Sequence, residues 1–250
     1  MALLLPVLRL SFHTIFLAIV SLLTIMPATY ATKNTSIPAF NLSSPAGTDI
    51  WRKPPAHNAF NAPTHPSHLP RYSIRSFQTA RLTFALPPGN QLRQYDQAGL
   101  LLHLTKSGLD PIKEKWLKTG IEWYYGKPYV STVGCDIWAD WSIIPLDGYK
   151  SDEERPSVEL EAKRESDQLG KSLWVYQIVR DAEGKEVERR PLREVAWFFA
   201  DEEDWNIGIG GYVCRPTKVE ENGTDTSTLE AEFSRGVHVE LLDYTKKLSN

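Results

Sequence analysis

The stretch Trp116–Tyr125 holds the residues best suited to chemistry. Trp116, Lys118, Glu122 and Tyr124 fall on alternate positions, while Leu117, Ile121 and Trp123 take the positions between. In a strand, alternate residues share a face. Flat rings mixed with a cationic donor and an anionic acceptor suit a sugar, whose C–H face stacks on a ring while its hydroxyls take hydrogen bonds. The same pattern also fits the ordinary wet face of an antiparallel sheet. Asp136 and Asp140 form a second carboxylate pair, but in extended chain their Cα atoms would lie about 13 Å apart. Glycosidases need carboxyl groups roughly 5–5.5 Å or 6.5–9.5 Å apart, so these two read as surface acids near a strand end unless a turn folds them together.

Other polar groups read as structural or solvated. Glu159 and Glu161 share a face with Lys163 and suggest a solvated edge. Arg164 continues the face of Val158, Leu160 and Ala162, so it needs a partner or marks where the strand leaves the core. His57, His65 and His68 lie in a Pro-rich segment. His65-x-x-His68 is half a metal site without an evident third ligand, and no metal is expected. His103, alternating with Leu102 and Leu104, reads as a structural histidine. The acidic run Asp201–Asp204 lacks the spacing of a calcium loop. No nucleophile elbow, phosphate loop or dinucleotide fingerprint is present, and no cofactor is expected.

The chain that must position these residues has 250 positions, 42% of them apolar, with 8 Trp, 10 Tyr and 9 Phe. That is enough to bury a core, and the formal charge of -3 leaves no basic footprint for nucleic acid. At the N-terminus, Arg9 and His13 precede an apolar run from Thr14 to Met26, then Pro27 and small residues up to Ala31. This run is too short to span a bilayer, which takes about 20 apolar residues. Residues 1–31 therefore read as a signal peptide cut after Ala31, with an uncleaved anchor as the competing reading. Removing it leaves no membrane span and implies a secretory destination. Asn34, Asn41 and Asn222 begin Asn-x-Ser/Thr sequons, consistent with a secreted glycoprotein. Cys135 and Cys214 form one disulfide if they meet in an oxidising compartment, or remain two small buried hydrophobes.

After a segment at 32–44 read as flexible, a single domain is expected over 45–250. Ala80, Leu82, Phe84 and Leu86 alternate with Arg81, Thr83 and Ala85, the period of a half-buried strand. Ala98–Leu104 is a continuous apolar run, and Gly126-Lys127-Pro128 separates two strand patterns as a hairpin would. About ten such strands recur to Leu241 without intervening helices. This predicts an all-β fold, a two-sheet antiparallel sandwich or a barrel.

An ordered series of motifs narrows the choice. Tyr95-Asp96-Gln97-Ala98-Gly99-Leu100, Trp116-Leu117-Lys118-Thr119-Gly120-Ile121-Glu122, Ser131-Thr132-Val133 and Asp140-Trp141-Ser142 lead the series. Arg164, Leu192-Arg193-Glu194, Phe198-Phe199 and Val213-Cys214-Arg215-Pro216 follow. Together, over roughly residues 45–245, they resemble domain-of-unknown-function family 1349, which includes fungal regulation-of-enolase proteins. The resemblance implies a concanavalin A-like lectin/glucanase jelly roll. It also marks Asp96, Gln97, Lys118, Glu122, Asp140, Trp141 and Arg193 as a candidate ligand face, beside Trp116 and Tyr124. The function expected is a secreted, non-catalytic carbohydrate-binding module. A regulatory protein-interaction domain is the alternative, since the fungal relatives suggest a protein partner. A glycoside hydrolase ranks third, because the Glu-x-Asp-x-Glu triplet common in enzymes of that superfamily is missing here.

Overall fold

The structure is a computed structural model and describes residues 30–219 and 225–248. Residues 1–29 of the expected signal and the Asn222 sequon lie outside the described residues. Seventeen strands are formed: β1 (Tyr30–Ile37), β2 (Phe40–Pro45), β3 (Ile50–Lys53), β4 (His57–Phe60), β5 (Thr64–His65) and β6 (Arg71–Ser73); β7 (Phe77–Ala85), β8 (Gln97–Thr105), β9 (Lys115–Tyr124), β10 (Lys127–Cys135), β11 (Ala139–Pro145) and β12 (Ser157–Asp167); then β13 (Gly170–Arg180), β14 (Glu186–Val195), β15 (Asn206–Cys214), β16 (Thr228–Phe233) and β17 (Val237–Lys247). They build the expected all-β fold, a sandwich of two antiparallel sheets. An eight-stranded sheet runs β1-β17-β7-β12-β13-β14, with β16 and β2 attached beside β7. The opposing seven-stranded sheet runs β11-β10-β9-β8-β15-β5, with β6 also on β15, and β3 and β4 form a separate hairpin.

The period-2 pattern decides which side of each sheet is buried. On β7 and β12, Leu82 pairs with Leu160, Ala80 with Ala162 and Phe84 with Val158, and all six enter the core. From the facing sheet, Leu100, Leu102, Leu117, Ile121, Ile209 and Val213 meet them. Interleaved residues must therefore point outward. On β12 these are Glu159 and Glu161; on β9 they are Trp116, Lys118 and Glu122. A short 3-10 turn at Pro111–Lys113 leads into β9, with the Asp110 side chain accepting from Ile112 N–H at 3.0 Å.

Three expectations change, and one open alternative closes. The segment 32–44 is not flexible: it supplies β1 and β2, paired to β17 and β16. Tyr30 and Ala31 already belong to β1, so a cut after Ala31 would trim two strand residues. Glu159 and Glu161 are not a loose solvated edge, as both are buried. The cysteines are free thiols. Cys135 on β10 is three strands from Cys214 on β15 and, through the register, near the opposite end of the sheet. That is more than ~14 Å across the sheet alone at the usual strand spacing, beyond the reach of a disulfide. Burial pushes the Cys135 thiol up to about 11, so it stays protonated.

Candidate ligand-binding cleft

A cleft of about 290 Å³ opens on the outer face of the seven-stranded sheet, lined by Gln97, Lys118, Glu122, Trp141, Asp49 and Trp51, among others. Its floor follows from the register. Gln97 lies opposite Glu122, Gly99 opposite Gly120, and Leu101 opposite Lys118. Lys118 and Gln97 are thus four positions out of step along neighbouring strands. Yet Lys118 Nζ donates to Gln97 Oε1 at 2.6 Å, so the two side chains must reach toward each other across the Gly99–Gly120 pair. Neither glycine can carry a side chain. A Cβ on Gly120 would stand 1.8 Å from the Ala98 carbonyl oxygen, and one on Gly99 2.0 Å from that of Thr119.

The charges on this floor are nearly enclosed. Lys118 is 2% exposed and Glu122 5%, levels at which a charge needs partners. Lys118 Nζ lies 3.5 Å from Asp49 Oδ1, and the rings of Trp116 and Tyr212 flank it at 5.9 and 5.8 Å. Glu122 Oε2 accepts from Ser131 Oγ at 2.9 Å, and that hydroxyl accepts from Trp141 Nε1–H at 3.1 Å. Burial raises the Glu122 carboxyl above its usual range; Lys118 and the hydrogen bonds from Ser131 and Trp141 offset this only in part.

One wall comes from the β3–β4 hairpin, where alternation again sorts the residues. Ile50 and Arg52 turn inward and are buried. Ile50 joins a cluster with Leu101, Trp116 and Val133, and Arg52 donates to Asn58 Oδ1 and to the Glu114 carbonyl, both at 3.0 Å. Asp49, Trp51 and Lys53 consequently line the cleft. The hairpin also packs onto the sheet face beside the cleft. Phe60 packs on His103, ring centres 4.7 Å apart, and His103 Nε2 lies 2.8 Å from Glu114 Oε2, the structural role expected of it.

The other wall is an aromatic cluster. Tyr124 contacts Tyr125, Trp141, Tyr95 and Tyr129, with ring centres 4.4, 5.2, 5.7 and 6.1 Å away. The hairpin joining β9 and β10 is tighter than Gly126-Lys127-Pro128 suggested: Tyr124 pairs with Lys127, leaving a two-residue turn of Tyr125 and Gly126. Their φ angles of +46° and +72° are both in the left-handed region, where the first position of such a turn favours Asn, Asp or Gly.

Of the nine expected ligand residues, Gln97, Lys118, Glu122 and Trp141 line the cleft, and Tyr124 stands at its aromatic wall. Four do not belong. Trp116 faces the right way but is 1% exposed beneath the hairpin, and its Nε1–H has no partner among the described residues. Asp96 is fully buried, gripped by Arg215 Nη2 at 2.7 Å and by Arg93 N–H at 2.9 Å; it holds the loop before β8. Asp140 and Arg193 bond to each other. They do so on the other side of β11, because neighbours in a strand point to opposite faces. Asp49, Trp51, Lys53 and Tyr95 went unrecognised. The alternation of Asp49, Trp51 and Lys53 around Ile50 and Arg52 was the available signal.

The remaining candidates resolve into structure. Asp136 is paired with Lys115 at 2.6 Å and Asp140 with Arg193, so the two acids are held by different cations. Arg164 has its partners: the Phe77 and Ile74 carbonyls at 2.8 and 2.6 Å, Glu202 at 2.7 Å, and the Phe199 ring at 3.8 Å. His65 stacks on Phe40. Among the described residues no group of three or more His, Cys, Asp or Glu is placed to hold a metal. No described helix is long and apolar enough to cross a membrane.

Comparison with known proteins finds a sequence relative and solved structures similar to this chain. The chain is 39% identical over 178 residues, 71% of its length, to the uncharacterized protein AN7484 of Emericella nidulans, of which the match covers 78%. The crystal structure of a functionally unknown protein from Saccharomyces cerevisiae aligns over 85% of this chain and 96% of its own, with a TM-score of 0.53 and 17% identity. A basic winged bean lectin solved with Tn-antigen aligns over 84% of this chain and 98% of its own, with a TM-score of 0.43 and 11% identity. The family model described as a protein of unknown function (DUF1349) matches residues 26–237, a span that takes in β1 and β2 as well as every cleft residue, and the chain belongs to that family.

Proposed function

We propose that the protein is a secreted, non-catalytic carbohydrate-binding module that seats a sugar between Trp51 and Trp141. One observation carries this reading: Lys118, Glu122 and Gln97 share the floor of a single cleft whose walls hold two tryptophans. A hydroxyl both donates and accepts, and here a donor-only ammonium lies near an acceptor-only carboxylate. Lys53 and Lys118 balance Asp49 and Glu122, which favours a neutral sugar over an acidic one. The Thr14–Met26 run and the exposed sequon residues Asn34 and Asn41 support passage through the secretory route. Glycan-array binding tests the proposal. The native protein retains a glycan, and Trp141→Ala or Glu122→Gln weakens retention at least tenfold; a native protein that retains none refutes it.

A catalytic reading has one observation in its favour. Glu122, with its raised carboxyl, shares the cleft with Asp49, and carboxylates with differing environments can divide acid and base roles. Release of reducing ends from a bound oligosaccharide, lost in Glu122→Gln, would replace the non-catalytic reading with this one.

A further inference from the structure

We infer that the cleft is one end of a longer site, and that its ligand is an oligosaccharide chain running from the floor onto the tyrosine platform around Tyr124. This rests on the carbohydrate reading above and specifies the ligand class. Three observations lead to it. The first is size: about 290 Å³ sits at the lower limit of ligand pockets, which run from ~300 to ~1,000 Å³, so the cleft encloses only part of a glycan. The second is continuity. Tyr95 and Trp141 line the cleft and also belong to the cluster around Tyr124, so the floor leads without a break onto exposed rings. Tyr125, at the outer end, is 77% exposed.

The third observation is backbone conformation. Tyr95 and Tyr125, with φ of +70° and +46°, are the two non-glycine residues in the left-handed region among the described residues. Side chains other than Asn, Asp and Gly are unfavourable there, and an observed outlier of this kind points toward function. Both outliers are tyrosines of this platform. Each is held by a hydrogen bond: Tyr95 N–H to the Trp123 carbonyl at 2.7 Å, and Tyr125 N–H to Gln94 Oε1 at 2.9 Å. The turn at Tyr125 would form more readily with Asn, yet the position carries a large ring turned to solvent. The cluster's tilted rings with phenol hydroxyls match sugar units, each with a C–H face and a hydroxyl rim, whereas an apolar peptide would bring no hydroxyls to the polar floor.

The experiment is titration of the native protein, Tyr125→Asn and Tyr125→Trp by calorimetry. The probes are the mono- and tetrasaccharides of the β-1,3-glucose, β-1,4-glucose and α-1,6-mannose series, together with the oligosaccharide retained most strongly on the array and its terminal monosaccharide. In whichever series binds, the native protein prefers the longer chain by about tenfold. Tyr125→Asn removes that preference while leaving the melting temperature undiminished, because Asn suits the turn. Tyr125→Trp retains the preference. Equal affinity for long and short sugars, or an intact preference in Tyr125→Asn, overturns the extended site but spares the cleft. No binding to any sugar overturns the carbohydrate reading and the extended site with it.

Discussion

Two outer faces of the sandwich carry buried glutamates at alternate strand positions, and the two are treated oppositely. On the eight-stranded sheet, Glu159 accepts from Arg180 at 2.6 and 2.7 Å, and Glu161 accepts from Arg81 at 2.7 Å and is also bonded to Arg189. Burial works to raise the Glu159 carboxyl, but the hydrogen bond and charge of Arg180, with Arg81, outweigh it and hold it below the usual range. On the seven-stranded sheet, Glu122 faces a cleft, has an ammonium rather than an arginine fork nearby, and is raised. A forked guanidinium fills carboxylate lone pairs two at a time; a cleft leaves capacity for something else. The lesson is that a carboxylate's partners separate a rivet from a binding group, while the direction of its shift does not, since burial also raises the Asp96 carboxyl against the grip of Arg215.

The contrast predicts opposite responses to mutation. The largest effect is expected at Asp96, one residue from cleft-lining Gln97 but turned wholly into Arg215. Asp96→Ala leaves a buried guanidinium unpaired and should lower unfolding free energy by about 3–5 kcal/mol, measured by chemical denaturation. Glu122→Gln should instead stabilise the fold at neutral pH, while sugar retention falls. Its raised carboxyl favours folding below the unfolded value near 4.5, and this is lost as pH rises through the folded value. The gain from Glu122→Gln should therefore vanish in acid; a gain independent of pH would break the contrast. The smallest effect is the mirror image. Glu159, depressed, stabilises above an unfolded value of 4.5 and loses this as pH falls through its folded value, so Glu159→Gln should flatten the acid limb of the melting curve.

Much of this was legible in the chain. Strict alternation over Trp116–Tyr124 and Val158–Ala162 fixed which residues face the core, because period 2 is local. Whether an outward residue meets water, an arginine or a cleft depends on strands far away in sequence. Glu161 is 80 positions from Arg81, and Lys118 is 69 from Asp49, so neither the ion-pair lattice nor the docking of the hairpin beside the floor could be read from spacing, although the hairpin's own alternation could. Asp140 and Trp141 teach the narrower point. Motif proximity grouped them, although adjacent strand residues cannot share a face.

β1 and β17 pair antiparallel, bringing Tyr30 opposite Lys247, in the layer that does not bear the cleft. The first and last strands of the described domain therefore both lie in the sheet that does not carry the cleft. Anything attached through those two strands would load that layer and leave the cleft-bearing layer free of the join.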